Sequence, residues 1–323
     1  METLVAVGLV LLGLALLAGG GEALVRGATT LAEIAGVTPA VIGLTVVAIG
    51  TSLPELVVSV LAAIRGQPDI AVANVVGSNI FNVALILGVT ALLLPLPVHG
   101  TAVRLEWPVM FAASVGCLLF SLDGVVGRAE GALFLVALVA FMWWSVRIAR
   151  RHMTVDETRQ ATEEAEARDL PSKGRGPLTG ALLVLGLAGL VAGGHFLVEG
   201  AVTLARLVGM TERVIGLTVV AAGTSAPELA TSVMAALRGR TDVAVANIIG
   251  SNIFNILGIL GTTAVVVSVP VAPALVRSDM VWMIGTAVLL LPLMYSSAKI
   301  TRWEGGLLLG AFVVYLTLLL RAA

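Results

Sequence analysis

The feature of this sequence that most constrains its fold is a long internal repeat. Residues 41–88 and 214–261 align without a gap at a constant offset of 173, and 34 of the 48 aligned positions are identical. Two copies this similar must adopt the same local structure, so the fold has to contain a duplicated unit. The decisive question is how the two copies are oriented relative to one another.

The composition places both copies in a lipid bilayer. Hydrophobic residues make up 58% of the 323 residues, charged residues make up 12%, and the mean hydropathy is +1.04. Soluble domains carry about 25% charged residues. Because a helix needs roughly 20 apolar residues to cross a bilayer, we predict an all-α polytopic membrane protein with ten transmembrane helices. We place them near residues 3–33, 39–64, 70–94, 105–121, 130–149, 178–208, 212–237, 243–268, 278–294 and 303–320.

Five predicted helices separate equivalent points of the two copies. Since five is odd, the copies must cross the membrane in opposite directions, which is the inverted-repeat design of secondary transporters. The expected domains are a first five-helix repeat over 1–149, a polar linker over 150–177 and a second five-helix repeat over 178–323. In this design the substrate site lies near the middle of the bilayer, where the repeats meet.

The distribution of Lys and Arg between the loops predicts the orientation of the chain. With the N-terminus outside, twelve of these residues fall on the inside and six on the outside, when Arg26 of the first helix is not counted. By the positive-inside rule we expect both termini outside and the 150–177 linker in the cytoplasm. No basic tract indicates a nucleic-acid partner. The lipid bilayer is the expected environment, and a single chain is the expected functional unit.

Each copy places one glutamate inside an apolar helix, next to a proline. The motifs are Gly-Thr-Ser-Leu-Pro-Glu, which ends at Glu55, and Gly-Thr-Ser-Ala-Pro-Glu, which ends at Glu228. A carboxylate at this depth is costly unless it is paired, protonated or directed into a cavity, and such residues mark ion pathways. Two of them at matched positions predict that Glu55 and Glu228 are the core of a cation-binding site.

The prolines predict a break in each of these two helices. Proline lacks an N–H group, and its ring clashes with the carbonyl four residues earlier. Pro54 and Pro227 should therefore free carbonyl oxygens, which are cation ligands in the unwound helices of transporters. Thr51 and Thr224 precede the glutamates by four residues, a spacing that places each pair on one helix face.

A second motif, Gly-Ser-Asn-Ile-Phe-Asn, also occurs in both copies. Its serine and its second asparagine are four residues apart, so a hydroxyl and an amide share one helix face. We interpret these residues as ligands, because they form a matched set beside the glutamates: Ser78, Asn82, Ser251 and Asn255. For the first asparagines, Asn79 and Asn252, we expect hydrogen bonding between helices instead.

The ligands available in the two copies are all oxygen atoms. Neither copy contains Cys or His, so a soft-metal site is excluded and a hard cation such as Ca²⁺ is favoured. Two ionised glutamates carry two negative charges, which one Ca²⁺ neutralises, whereas three Na⁺ would leave one positive charge. An exchange of three for one would therefore move one net charge per cycle.

Two further charged pairs lie within predicted helices. Glu22 and Arg26 are four residues apart in the first helix, and their equivalents in the second repeat are His195 and Glu199. Because the residue types differ between the copies, we interpret both as local pairs or as interfacial groups.

The duplicated motifs resemble the alpha repeats of the cation/calcium antiporter superfamily, close to the bacterial sodium/calcium exchangers. The resemblance covers the whole ten-helix plan. It implies antiport of Ca²⁺ against Na⁺ in a bacterial cytoplasmic membrane, by a protein that is not an enzyme and needs no cofactor. The ligands that it implies are the side chains of Thr51, Glu55, Ser78, Asn82, Thr224, Glu228, Ser251 and Asn255, with the backbone carbonyls of Ala48 and Ala221.

Two details of the motifs refine this resemblance. The proton-coupled branch typically has Gly-Asn-x-x-Glu where this chain has Gly-Thr-Ser-x-Pro-Glu, which favours sodium as the driving ion. Several microbial and potassium-dependent members carry Asp where this chain has Asn255, and the missing charge argues against potassium co-transport. The 150–177 linker is too short to form the regulatory calcium-binding loop of the animal exchangers.

Three alternatives remain at this point. A proton/calcium antiporter would use the same fold, with Glu55 and Glu228 carrying protons. A cation channel would need no counter-ion, and inverted repeats with broken helices disfavour it. An intramembrane hydrolase would need a Ser/His dyad or paired aspartates at matching depth, which the sequence does not offer.

Overall fold

The computed structural model describes residues 2–98, 100–152, 175–209, 221–296 and 298–322. Residues 153–174 of the predicted linker and residues 212–220, where the seventh helix is predicted to begin, lie outside this range. Helices account for most of the described chain. They are α1 (Glu2–Ala35), α2 (Pro39–Thr51), α3 (Leu53–Ile64), α4 (Ile70–Leu93), α5 (Ala102–Phe120), α6 (Arg128–Ile148), α7 (Gly176–Leu207), α8 (Ala221–Thr224), α9 (Ala226–Leu237), α10 (Thr241–Val266), α11 (Leu275–Ser296) and α12 (Arg302–Arg321).

The predicted all-α membrane fold is confirmed. In the described part of the chain eight helices are long and apolar enough to cross a membrane, and the bent pair α2–α3 makes a ninth span. Helices α8 and α9 stand in the second repeat where α2 and α3 stand in the first. Each of the ten predicted hydrophobic stretches therefore contains a helix.

In the described residues, four short strands connect the two repeats. β1 (Leu96–Pro97) pairs with β4 (Lys299–Ile300), and β2 (Val125–Val126) pairs with β3 (Val269–Pro270), both antiparallel. Each pair joins a loop of the first repeat to a loop of the second. Since β1 and β2 stand at opposite ends of α5, one of these strand pairs lies at each end of the helix bundle.

The helix breaks fall where the prolines predict them. The axes of α2 and α3 differ by 43°, and the bend is at Ser52, with φ −86° and ψ 8°. Ser225, between α8 and α9, has nearly the same backbone angles, φ −91° and ψ 9°. Pro54 and Pro227 occupy the start of the helix that follows, where the missing N–H group costs no hydrogen bond.

Several helices contain a turn of π-helix. These turns lie at Gly43–Val47, Phe81–Ile86, Ala102–Glu106, Asn255–Leu260 and Leu275–Asp279. The turns in α4 and α10 are equivalent in the two repeats, as are those in α5 and α11. Single π-turns are frequent at functional sites because they interrupt the regular helical bonding. Those of α4 and α10 contain Asn82 and Asn255.

The core is built around α4 and α10, which carry the second motif. The most apolar stretch of α10 is completely buried and that of α4 is 67% buried, whereas α1 and α7 are buried over only 28% and 22% of theirs. α1 and α7 pack on each other through glycines. A Cβ atom on Gly20 would lie 2.7 Å from the Leu190 nitrogen, and one on Gly186 would lie 2.6 Å from the Leu24 nitrogen. These two long helices form a layer beside the core, which we call the front layer. Close contact between their backbones holds them together.

Candidate ion-binding site

The two glutamates lie at the helix breaks, buried between the repeats. Glu55 is 1% exposed and Glu228 is 2% exposed. The Ser52 hydroxyl donates to Glu228 Oε1 at 2.9 Å, and the Ser225 hydroxyl donates to Glu55 Oε1 at 3.4 Å. Each break thus presents its serine to the glutamate of the other repeat. The prediction that the two repeats bring the carboxylates together agrees with this geometry.

The second oxygen of each carboxylate has no hydrogen-bond partner. Glu55 Oε2 and Glu228 Oε2 are buried and unsatisfied, and so are three other oxygens of predicted ligands: Asn82 Oδ1, Ser251 Oγ and Asn255 Oδ1. Only three more buried side-chain atoms in the described residues share this condition. Leaving such an atom unpaired costs about 1–3 kcal/mol, and more when it is charged. A cluster of unsatisfied oxygens is therefore what an oxygen-coordinated cation would stabilise.

No basic side chain among the described residues compensates the charge of the two glutamates. Their carboxylates lie near one another, since each is bonded to the serine at the other repeat's helix break. None of the ion pairs seen among the described residues, such as Arg26–Glu22 and Arg238–Glu22, involves Glu55 or Glu228. When both are ionised, their charge has to be balanced by a mobile ion.

The asparagines of the second motif bond across the two repeats. Asn82 Nδ2 donates to Asn252 Oδ1 at 3.1 Å, and Asn255 Nδ2 donates to Asn79 Oδ1 at 3.0 Å. The expectation that Asn79 and Asn252 make hydrogen bonds between helices is confirmed. These bonds occupy the amide nitrogens of Asn82 and Asn255 and leave their oxygens unpaired.

The threonine and alanine candidates lie in the last turn of α2 and in α8. Thr51 is buried, and its hydroxyl donates to the Ala48 carbonyl at 3.3 Å. The same carbonyl accepts the Ser52 N–H group at 3.1 Å, so an ion could bind there only after the Thr51 hydroxyl turns away. α2 ends at Thr51 and α3 begins after Ser52, so Thr51 and Glu55 do not share a face of one continuous helix. The bend at Ser52 therefore sets the relative positions of Thr51 and Glu55, and their four-residue spacing in the sequence does not.

The remaining candidates are placed as follows. Ser78 is buried in α4, one turn before Asn82. Ala221 and Thr224 both lie in α8, and Thr224 directly precedes the break at Ser225. The candidate ligands of the matched motifs thus lie in both broken helices and in both central helices of the core.

The sequence did not lead us to two further pairs of buried polar residues that are equivalent in the two repeats. Ser52 and Ser225 were not singled out, although they are identical in both copies and stand between a predicted ligand and a proline. Glu106 and Asp279 lie outside the aligned segments but are separated by the same offset of 173. Both are buried, and Asp279 accepts a hydrogen bond from the Tyr315 hydroxyl at 2.8 Å. Extending the repeat alignment would have found this second pair of acids.

Comparison with known proteins gives close relatives over the whole chain. The family described as "Sodium/calcium exchanger protein" matches residues 5–147 and 178–321, one match in each repeat. CaxA of Alkalimonas amylolytica is 43% identical over 323 residues, covering 98% of this chain and 99% of CaxA. The inner membrane protein YrbG of Escherichia coli (strain K12) is 38% identical over 322 residues, covering 98% of this chain and 97% of YrbG.

A solved structure has the same fold. The sodium-calcium exchanger NCX_Mj, soaked with zero Na⁺ and Ca²⁺, superposes with a TM-score of 0.83 at 30% identity, covering 98% of this chain and 99% of NCX_Mj. The resemblance inferred from the motifs is confirmed. Because the family matches both halves and the relatives align almost from end to end, this chain belongs to the sodium/calcium exchanger family.

Proposed function

We propose that this chain is a secondary active antiporter that exchanges Ca²⁺ for Na⁺. The observation that carries the proposal is the set of unsatisfied oxygens on Glu55, Asn82, Glu228, Ser251 and Asn255, which lie on both repeats and have no basic partner in the described part of the chain. Membership of the sodium/calcium exchanger family supports the choice of ions. An all-oxygen site suits both of these hard cations.

The proposed ligands come in matched pairs from the two repeats. The carboxylates of Glu55 and Glu228 would bind Ca²⁺ directly, and hydroxyl, amide and backbone carbonyl oxygens would complete the shell. In the part of the chain that the structure describes no three His, Cys, Asp or Glu residues form a cluster, so neutral oxygens have to provide most ligands. The proposed set is Ala48 and Ala221 by their carbonyls, and Thr51, Glu55, Ser78, Asn82, Thr224, Glu228, Ser251 and Asn255 by their side chains.

The charge of the site supports an electrogenic exchange. One Ca²⁺ neutralises the two carboxylates, and about three Na⁺ in its place leave one positive charge, so one net charge moves per cycle. Asn255 adds ligand oxygen without adding charge. This keeps the site at two negative charges.

The proposed mechanism is alternating access. α1 and α7 contact each other through glycine-to-backbone packing and are much less buried than the core helices α4 and α10, which suits a pair that slides as one layer across the core. The empty site would carry two unbalanced carboxylates through a closed state, which is costly. Ion occupancy therefore permits the movement, and the coupling between the two ions follows.

The proposal includes a location and a topology. Two five-helix repeats, 1–149 and 178–323, are joined by the 150–177 linker on the cytoplasmic side, with both termini outside. The name of YrbG, an inner membrane protein, supports a bacterial cytoplasmic membrane. Labelling of single cysteines placed at residues 3 and 160 in intact cells, in a Cys117→Ala background, tests the topology, since only the first should react with an impermeant reagent.

The deciding experiment measures ⁴⁵Ca²⁺ uptake by proteoliposomes loaded with Na⁺. Uptake should require internal Na⁺, and it should be faster when the membrane potential is positive inside, because three Na⁺ leave for each Ca²⁺ that enters. Loading with K⁺ and imposing a pH gradient without Na⁺ are the controls. Uptake driven by the pH gradient and indifferent to Na⁺ would instead assign proton/calcium exchange to the same site.

A further inference from the structure

The asparagine network has a reciprocal geometry. Asn79 and Asn252 are both 2% exposed and stand one turn before Asn82 and Asn255 on the two core helices. Asn79 Oδ1 accepts Asn255 Nδ2 at 3.0 Å, and Asn252 Oδ1 accepts Asn82 Nδ2 at 3.1 Å. The first asparagine of each repeat therefore holds the second asparagine of the other.

An asparagine amide can ligate a cation only through its oxygen. Its two ends have nearly the same shape, and surrounding hydrogen bonds decide which end faces a cavity. Because the nitrogens of Asn82 and Asn255 are occupied, their Oδ1 atoms are the ends left unpaired. The opposite rotamer would turn an N–H donor toward the cation and remove a ligand.

The orientation of the first asparagines is itself determined. Asn79 Nδ2 donates to the Asn252 carbonyl at 3.3 Å and lies 3.7 Å from Met283 Sδ, while Asn252 Nδ2 lies 3.5 Å from Met110 Sδ. A thioether sulfur accepts hydrogen bonds weakly and cannot donate them. Each methionine can therefore bond to the amide nitrogen of its asparagine but not to the amide oxygen. Met110 and Met283 are buried and occupy equivalent positions in the two repeats.

We propose that Asn79 and Asn252 are positioning residues that direct the amide oxygens of Asn255 and Asn82 toward the transported ion, with Met283 and Met110 fixing them in turn. The inference rests on the proposed function, since it takes Asn82 and Asn255 to be ligands. Each ligand amide is thereby set by the opposite repeat, so the complete ion shell exists only when the two core helices are in register.

The test compares Asn79→Leu in two backgrounds. In the natural background the substitution removes the acceptor of Asn255 Nδ2, and the Ca²⁺ concentration for half-maximal uptake should rise about tenfold, the effect of one buried hydrogen bond. In an Asn255→Asp background the same substitution should change it less than about twofold, because a carboxylate presents an oxygen in either rotamer. Equal effects in both backgrounds would reduce Asn79 to a structural role and overturn the inference.

A matched control and a gentler variant complete the design. Asn247 is fully buried on the same helix as Asn252 and donates to Ser232 at 3.0 Å within its own repeat. Asn247→Leu should lower the melting temperature like Asn79→Leu but leave the Ca²⁺ dependence unchanged. Met283→Leu conserves volume and should fold, and it should raise the half-maximal Ca²⁺ concentration in the natural background only. If it has no effect there, the inference fails even where Asn79→Leu does not fold.

A binding measurement separates this inference from the proposed function. Ca²⁺ should raise the melting temperature of the purified protein in detergent, and Asn79→Leu should shift the required Ca²⁺ to higher concentration. A wild-type protein that Ca²⁺ does not stabilise would overturn both proposals. A wild-type protein that it stabilises, together with an Asn79→Leu variant that has the same Ca²⁺ dependence, would overturn only the positioning role.

Discussion

At the scale of residues, the two glutamates are equivalent in sequence but not in environment. Glu228 Oε1 accepts the Ser52 hydroxyl at 2.9 Å, whereas Glu55 Oε1 accepts the Ser225 hydroxyl at 3.4 Å. The carboxylate of Glu228 is therefore the better satisfied of the two. Both keep one oxygen unpaired, and this shared property is what makes each a candidate ligand.

Neutralising either glutamate should abolish transport while the fold is retained. Glu55→Gln or Glu228→Gln keeps the shape and the acceptor for the serine, but it removes half of the charge that faces Ca²⁺. Removing one partner of a buried charge interaction costs about 3–5 kcal/mol, so Ca²⁺ uptake at low concentration should fall by at least about 100-fold. Uptake in proteoliposomes measures the loss, and size-exclusion chromatography checks the fold. Full activity in either variant would remove the basis of the proposed site.

The serines at the breaks should differ in importance. Ser52→Ala removes the shorter hydrogen bond to a carboxylate and should weaken Ca²⁺ binding about 10- to 100-fold, since such bonds contribute about 1.5–3 kcal/mol. Ser225→Ala removes the longer one and should have the smaller effect. Calcium-dependent thermal stabilisation of the two variants provides the comparison, and the reverse order would contradict the geometry described for the two breaks.

At the scale of elements, a charged cluster holds α1 against the end of α9. The Glu22 carboxylate accepts hydrogen bonds from Arg26 on the same helix and from Arg238, which follows α9, the latter at 2.7 Å. The local pair expected between Glu22 and Arg26 is confirmed, but the partner that matters for helix packing is Arg238, far away in sequence. Beside it, a Cβ atom on Gly21 would lie 3.2 Å from Met234 of α9.

Breaking this contact should loosen α1 from α9 without unfolding the protein. Arg238 is about half exposed, and exposed ion pairs contribute about 0.2–1 kcal/mol, so Glu22→Gln should shift the balance between conformations by no more than about fivefold. The rate of disulfide formation between cysteines at positions 21 and 234 measures this balance. Glu2→Gln, at the exposed start of the same helix, is the control. An unchanged rate in Glu22→Gln would show that the ion pair does not restrain α1.

At the scale of the whole molecule, the inverted repeats are not in equivalent conformations. Gly21 of α1 packs on Ala230 and Met234, whereas its equivalent Gly194 of α7 packs on Gly223 and Pro227, near the start of α9. The positions equivalent to Ala230 and Met234 in the first repeat are Val57 and Leu61, which are 53% and 43% exposed. The front layer, formed by α1 and α7, thus covers this part of α9 in the second repeat but leaves the equivalent part of α3 in the first repeat exposed.

If each repeat adopts the conformation that the other has here, the protein reaches a second state, in which the site opens to the opposite side of the membrane. There α7 should pack on α3 as α1 packs on α9 here, with Gly194 against Val57 and Leu61. Cysteines at positions 194 and 61, in a Cys117→Ala background, should form a disulfide only under conditions of ion turnover. The pair at positions 21 and 234 should form one in this state and block transport. Crosslinking of 194 to 61 at the same rate without ions would refute ion-dependent movement of the layer.

Much of the fold followed from the sequence because its signals are local or periodic. Hydropathy located the helices, proline located the breaks at Ser52 and Ser225, and the repeat required opposite orientations of the two halves. The spacing argument for Thr51 and Glu55 was wrong because the bend lies between them, and a four-residue spacing places side chains on one face only along an unbroken helix. Glu106 and Asp279 were missed because the repeat was followed only where identity was high.

The sequence by itself determined the duplicated unit and the membrane setting, and it predicted the oxygen ligands of the candidate site, since composition, periodicity and residue type are all visible along the chain. Only the tertiary structure decided which groups meet: Ser52 with Glu228, Asn79 with Asn255 and Glu22 with Arg238 are pairs 176, 176 and 216 residues apart. It also decided how the two repeats differ. Nearly identical segments have the same local preferences, and the distinction between them arises only when one packs against the other.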